Sequence, residues 1–139
     1  MTLAERALER LETWSDLSTG LPSCGAGLAL RSAHSEIVHF HPGRDVDLHL
    51  TEPAIRRFHD DLLESTAVRL LPGSRWVTVH LDCETDVDLL MSLVSMALKA
   101  HQAAPRPAGP AACNFHRVTV VPREVSYAPI RCQSAIIGP

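Results

Sequence analysis

The sequence predicts an α+β fold, a single domain in which helices cover one face of an antiparallel sheet. The first observation is that residues 37–50 alternate apolar and polar side chains on both sides of a proline–glycine turn, which is typical of a half-buried hairpin. The second is that residues 76–81 alternate in the same way. The third is that apolar residues recur at helical spacing in 52–65 and 85–101, so two helices are expected on the apolar side of the sheet.

Length and composition are those of an ordinary soluble domain. The 139 residues, 45% hydrophobic and 21% charged, are enough for one core. The charged residues within positions 5–12 exclude the apolar region of a signal peptide. The longest apolar run, 87–98, is interrupted by polar residues and is too short to cross a bilayer. We therefore expect a cytoplasmic protein with no membrane partner.

The charge is divided unevenly along the chain. Residues 1–99 hold 9 Lys and Arg against 15 Asp and Glu, a net charge of −6, and residues 100–139 carry the balance of +3. An acidic body argues against nucleic acid as the main partner, and the four arginines of the tail are too few to reverse this.

Before the hairpin, residues 2–15 predict an amphipathic helix that packs on the body. Residues 15–27 read as a loop, and 28–31 and 36–41 as strands. Gly25 and Gly27 resemble part of a phosphate-binding loop, but the third glycine and the following helix are missing. A phosphate site is therefore not expected there.

The hairpin register follows from the two faces of its strands. A three-residue connection, 42–44, pairs His39 with Asp47 and keeps apolar residues opposite apolar residues, whereas a two-residue loop would mix the faces. One face is then apolar. The other, together with alternate residues of 76–81, forms what we call the polar face: His39, His41, Asp45, Asp47, His49, Trp76, Thr78 and His80.

After the hairpin, Thr51 is expected to cap the helix 52–65, with Pro53 in its first turn. A short strand is expected near 67–71, followed by a turn and the strand 76–81. On the helix 85–101, one narrow polar stripe interrupts an otherwise apolar surface; it consists of Asp88, Ser92, Ser95 and Lys99. The N-terminal helix or a second subunit must cover that surface, so a homodimer through this helix is one expectation.

The first 101 residues are expected to form the α+β domain. Residues 102–139 begin as a proline- and alanine-rich linker and continue as a C-terminal extension with one expected edge strand at 117–121. The four cysteines, Cys24, Cys83, Cys113 and Cys132, include no C-x-x-C pair, and in a cytosolic chain they are expected to be buried thiols rather than a disulfide framework. Cys113 and His116 have a spacing found in zinc sites, but no second pair accompanies them.

The polar face supplies the candidate functional residues. The candidates for ligand binding are His39, His41, Asp47, His49, Trp76 and His80. Three interpretations remain open: a solvated surface, a small-molecule surface in which Trp76 stacks on the ligand, and a divalent metal or acid/base site in which His39, His41 and His49 are the candidate metal ligands. If the strands share one sheet, these side chains are expected to line an open surface or shallow groove.

Three segments carry a family resemblance: His39 to Pro42, Asp45 to Leu50, and Arg75 to Val79. In order and spacing they resemble the bacterial proteins grouped as a luciferase domain family, over roughly residues 28–101. The resemblance implies a small domain with an HxHP turn, a following strand, a helix, a W-V strand and a closing helix. It implies no particular catalytic residues.

Light emission is not expected from this resemblance. A flavin-dependent luciferase barrel needs about 250 residues, and an adenylating enzyme needs a phosphate-binding loop that this chain lacks. The expected function is small-molecule binding or an accessory role through the polar face. The alternatives are a metal-dependent or acid/base enzyme that uses the same histidines, and a protein–protein interaction module. Whether any reaction is catalysed, and by which residues, stays open.

Overall fold

The computed structural model of the protein describes residues 1–33, 35–103, 113, 114 and 132. Its elements are α1 (Leu3–Glu12), β1 (Ser18–Gly20), β2 (Leu28–Arg31), β3 (Glu36–Phe40), β4 (Asp45–His49), α2 (Glu52–Arg57), α3 (His59–Glu64), β5 (Val68–Leu70), β6 (Trp76–His80) and α4 (Glu84–Ala103). Residues 102 and 103 of the predicted linker continue α4, and the rest of the linker, the edge strand at 117–121 and His116 lie outside the described residues.

Six strands form one antiparallel sheet in the order β1-β2-β3-β4-β6-β5, which confirms the predicted α+β fold. The β3–β4 register pairs His39 with Asp47 and Phe40 with Val46, as the three-residue connection requires. The prediction of a loop over 15–27 was wrong in one respect, because Ser18–Gly20 is an edge strand. Its three residues are too few to show an alternating pattern.

The predicted helix 52–65 is interrupted at Phe58, which ends α2 and precedes α3 with φ −104° and ψ 18°. The predicted cap at its start is confirmed, since the Thr51 hydroxyl accepts a hydrogen bond from the backbone N–H of Ala54 at 3.4 Å. The region after β4 therefore begins as expected and then bends in its middle.

Helix α4 lies across the apolar face of the sheet, in contact with β3, β4 and β6. Its exposed side is the predicted polar stripe, and α1 packs beside it. Arg10 bonds Asp88 at 2.9 Å, and Arg6 pairs with Glu84. The single chain therefore covers most of the surface that suggested a homodimer, and self-association through α4 stays a prediction. In the described part of the chain, no helix has the length and hydrophobicity needed to cross a membrane.

Two cysteines form a disulfide, so the expectation that all four are thiols was wrong. Cys83, just before α4, is bonded to Cys132, with 5.8 Å between their Cα atoms. Sequence spacing did not reveal the pair because 49 residues separate its members. Disulfides are rare in cytosolic proteins. The bond therefore weighs against the predicted cytoplasmic location, which stays a prediction.

Candidate metal centre

The sheet brings the residues of the polar face together as the sequence predicts. In the β4–β6 register His49 lies opposite Trp76, Asp47 opposite Thr78, and Asp45 opposite His80. The expectation of an open surface or shallow groove was wrong, because His39, Asp47, Trp76 and Thr78 are all 2% exposed or less. Two segments that sequence patterns did not place there reach this face: the loop before β2, and Cys113 with Asn114.

Four side chains converge at one end of the polar face. They are Cys24, His39, His41 and Cys113, and their donor atoms all lie within 4.8 Å of one another. The Cys24 Sγ atom lies 3.7 Å from His39 Nδ1 and 3.5 Å from His41 Nε2. The Cys113 Sγ atom lies 3.7 Å from the same His41 nitrogen. Neither cysteine takes part in a disulfide.

These spacings fit the edges of a tetrahedron around one zinc ion. With Zn–S near 2.3 Å and Zn–N near 2.0–2.1 Å, a tetrahedral site places sulfur and nitrogen donors about 3.6 Å apart. Three sulfur–nitrogen distances in the cluster are 3.5, 3.7 and 3.7 Å. Two thiolates and two imidazoles form a donor set that zinc prefers. His39, His41 and Cys113 are buried and Cys24 is half-buried, so the site is closed to bulk water on most sides.

The outer nitrogen of each histidine faces a carboxylate, and the other ring nitrogen faces the cysteines. The His39 Nε2–H donates to Glu36 at 2.7 Å, and this leaves Nδ1 as the acceptor that faces Cys24. The His41 Nδ1 atom lies 3.6 Å from Asp47, and its Nε2 faces both cysteines. Carboxylates behind ligating histidines are a common second shell of zinc sites.

Burial and hydrogen bonding set the protonation states of His39 and Glu36. Burial lowers the pKa of His39, although the bond to Glu36 partly offsets it. The imidazole is then neutral near pH 7, which is the form that binds metals. Burial alone would raise the pKa of Glu36, but hydrogen bonds from the Ser23 backbone and the His39 ring hold that pKa below its usual value.

Gly27 lets the loop that carries Cys24 lie against the end of β3. Its φ of +88° lies in the region that favours glycine, and a Cβ atom there would collide with the carbonyl oxygen of Phe40. Gly27, one of the two glycines considered for a phosphate loop, thus serves a close backbone approach. This approach places Cys24 beside His39 and His41.

Asn114 fastens the second segment to the sheet. It is 0% exposed, and its backbone N–H donates to Asp47 at 2.9 Å. Its side-chain amide donates to the Trp76 carbonyl at 3.1 Å and the Thr78 hydroxyl at 3.2 Å. Its Oδ1 accepts from the Ser74 hydroxyl at 2.5 Å. These bonds fix the position of the neighbouring Cys113.

His49, the third predicted metal ligand, is placed apart from this cluster. Its ring stacks on Trp76 with 4.7 Å between centroids, and the His101 ring meets it edge-on at 4.4 Å. Burial and the nearby His101 lower the pKa of His49 to about 4, so its ring is neutral at pH 7. Among the described residues, the buried Trp76 Nε1 has no hydrogen-bond partner. These aromatic rings pack as part of an interior.

His80, at the other end of the polar face, forms an ion pair. Its Nδ1 donates to Asp45 at 2.6 Å and its Nε2 to Asp82 at 3.1 Å. The bond to Asp45 raises the pKa of His80, and the same bond lowers the pKa of Asp45. The six predicted site residues therefore separate into a metal-like cluster, an aromatic stack and an ion pair.

Sequence reasoning did not identify Cys24, Cys113 and Glu36 as members of the site. The His-x-His pattern indicated two of the four donors, because alternate residues of one strand share a face. The cysteines come from positions 15 residues before and 72 residues after the nearest histidine they contact. Sequence spacing alone gives no sign of such a long-range meeting.

Comparison with known proteins gives a match to a family model. The family model described as Luciferase domain matches residues 34–97, which confirms the predicted resemblance. The matched segment includes His39 and His41, whereas Cys24 and Cys113 lie outside it. No curated protein and no solved structure matches the chain.

Proposed function

We propose that this chain, whose residues 34–97 belong to the Luciferase domain family, is a zinc-binding protein. The ion is held by Cys24, His39, His41 and Cys113. The observation that carries the proposal is the convergence of two cysteines and two histidines whose three sulfur–nitrogen distances of 3.5–3.7 Å match the edges of a zinc tetrahedron.

The role of the ion in this proposal is structural. Four protein donors complete the tetrahedral coordination of zinc, whereas a catalytic zinc keeps one position for water or substrate. The donors come from three separate parts of the chain: the loop before β2, the β3 strand and its end, and the segment around residue 113. Zinc would join these parts and close the polar face.

This proposal accounts for the polar face better than the predicted small-molecule surface does. Trp76 is 2% exposed, and one face of its ring is occupied by His49, so a ligand could stack there only after the face opened. The predicted metal-dependent enzyme would share His39 and His41 with the zinc site. It would also need an open coordination position, which a four-donor set does not leave. An accessory domain stabilised by zinc is the function that we propose.

Elemental analysis of the full chain, purified without an affinity tag, tests the proposal. We expect about one zinc per chain, as a single tetrahedral site requires. Replacing both Cys24 and Cys113 by serine should abolish zinc binding because it removes both thiolates.

His49→Gln is the matched control. It removes the predicted ligand that the structure places outside the cluster, and we expect zinc binding to be retained. Wild-type protein that neither contains zinc nor takes it up on titration would refute the proposal. Loss of zinc in His49→Gln, with retention in the cysteine double variant, would also refute it.

A further inference from the structure

Glu36 connects one histidine of the cluster to the backbone beside one cysteine. Its Oε1 atom accepts a hydrogen bond from His39 Nε2 at 2.7 Å and another from the Ser23 backbone N–H at 2.7 Å. Ser23 immediately precedes Cys24. The carboxylate therefore holds the His39 ring and the Cys24 loop at the same time.

Asp47 repeats this arrangement on the other side of the cluster. Its Oδ2 atom lies 3.6 Å from His41 Nδ1 and accepts the Asn114 backbone N–H at 2.9 Å. Asn114 immediately follows Cys113. The other carboxylate oxygen accepts the Thr78 hydroxyl at 2.6 Å, which anchors the side chain to β6. Each carboxylate thus pairs one histidine with the neighbour of one cysteine.

We infer that Glu36 and Asp47 are positioning residues that hold the four donors ready and bias the site toward a divalent over a monovalent ion. This inference rests on the proposed zinc function. The hydrogen bond to Glu36 fixes the tautomer of His39, and Asp47 lies at ion-pair distance from His41. Both contacts reduce the reorganisation that binding requires, and comparable second-shell carboxylates contribute about 10–100-fold to metal affinity.

The charge of the cluster supports the selectivity. Two thiolates neutralise one Zn²⁺, so the net charge of the metal, the thiolates and the two carboxylates together is −2. With a Cu⁺ ion in the same place, the net charge of the same groups would be −3. Sulfur and nitrogen donors alone suit both metals. The attraction of a fixed carboxylate for a 2+ ion is twice its attraction for a 1+ ion at the same distance, so the carboxylates favour zinc.

Metal titration of full-length variants tests this. Glu36→Gln and Asp47→Asn keep the size of each side chain and remove its charge. Competition with chromophoric chelators gives the Zn²⁺ and Cu⁺ affinities. The Co²⁺ absorption spectrum reports on the donor set. Each variant should bind zinc about 10–100-fold more weakly. Cu⁺ affinity should fall less, and the Co²⁺ spectrum should remain that of a tetrahedral sulfur–nitrogen site.

Asp60→Asn is the matched control, because Asp60 also lies 3.6 Å from a histidine, His59, but both side chains are exposed on α3 and neither belongs to the cluster. It should leave both metal affinities nearly unchanged. Glu36→Asp keeps the charge but shortens the side chain. Relative to Glu36→Gln, it should restore the preference for zinc over Cu⁺ more fully than it restores the absolute zinc affinity. It also provides the comparison if Glu36→Gln does not fold.

Equal loss of Zn²⁺ and Cu⁺ affinity in the amide variants would overturn the selectivity. Unchanged zinc affinity in both variants would overturn the role of the carboxylate charge. Unchanged zinc affinity in Glu36→Ala, which removes the acceptor oxygen, would overturn the positioning role, although the zinc proposal would stand. A wild-type protein that binds neither Zn²⁺ nor Co²⁺ would instead refute the zinc proposal on which the inference rests.

Discussion

Replacing Asn114 by alanine should destabilise the protein markedly. The change removes three side-chain hydrogen bonds, to the Ser74 hydroxyl at 2.5 Å, the Trp76 carbonyl at 3.1 Å and the Thr78 hydroxyl at 3.2 Å. A typical net contribution is about 0.5–1.5 kcal/mol per bond, and buried groups left without a partner cost more. We therefore expect the free energy of unfolding to fall by about 2–4 kcal/mol.

Urea unfolding with linear extrapolation measures this loss, in zinc-loaded protein and again in the presence of a chelator. The control is Ser92→Ala on the exposed stripe of α4, which should change stability by less than about 0.5 kcal/mol. The domain boundary predicted at residue 101 would make Asn114 dispensable. A loss below about 1 kcal/mol in Asn114→Ala would therefore refute the reasoning that this residue belongs to the folded core.

Three further predictions concern other parts of the molecule. Gly27→Ala should weaken zinc binding in a chelator competition, because the added Cβ displaces the Cys24 loop; unchanged affinity would count against this role. Cys83→Ser should lower the free energy of unfolding by about 2–5 kcal/mol under non-reducing conditions, and added reductant should remove the difference from wild type. His80→Asn should lower the melting temperature most between about pH 4 and 6.5. The raised pKa of His80 makes its contribution disappear as pH rises, and the lowered pKa of Asp45 makes it disappear as pH falls; a melting-temperature difference independent of pH would contradict this.

The central strands of the sheet could be predicted from sequence because alternating apolar and polar side chains determine their register. Val38 and Leu48 must lie on the apolar face, and His39 must lie on the opposite face. Shifting the β3–β4 pairing by one residue would mix the two faces, so the observed register is required. β1 escaped prediction because an edge strand of three residues shows no periodicity. Phe58 interrupts the predicted helix without a glycine or proline to signal it.

The site was less predictable because its members meet only after folding. His39 and His41 were visible from their spacing on one strand. Cys24 depends on the close approach at Gly27, and Cys113 depends on the hydrogen bonds of its neighbour Asn114. The burial of the polar face could not be read from its composition, since the segments that cover it are distant in sequence.

The sheet separates two interiors with different chemistry. Behind one face lies a hydrocarbon interior that includes Trp14, packed near α1. Behind the other lies an interior of imidazoles, thiols and carboxylates that includes Trp76. We expect acid or a chelator to act first on the second interior, because its imidazoles, thiols and carboxylates take up protons or bind metal, whereas the apolar contacts of the first do not. The two indoles can therefore report separate transitions, and unfolding followed by fluorescence need not coincide with unfolding followed by backbone circular dichroism.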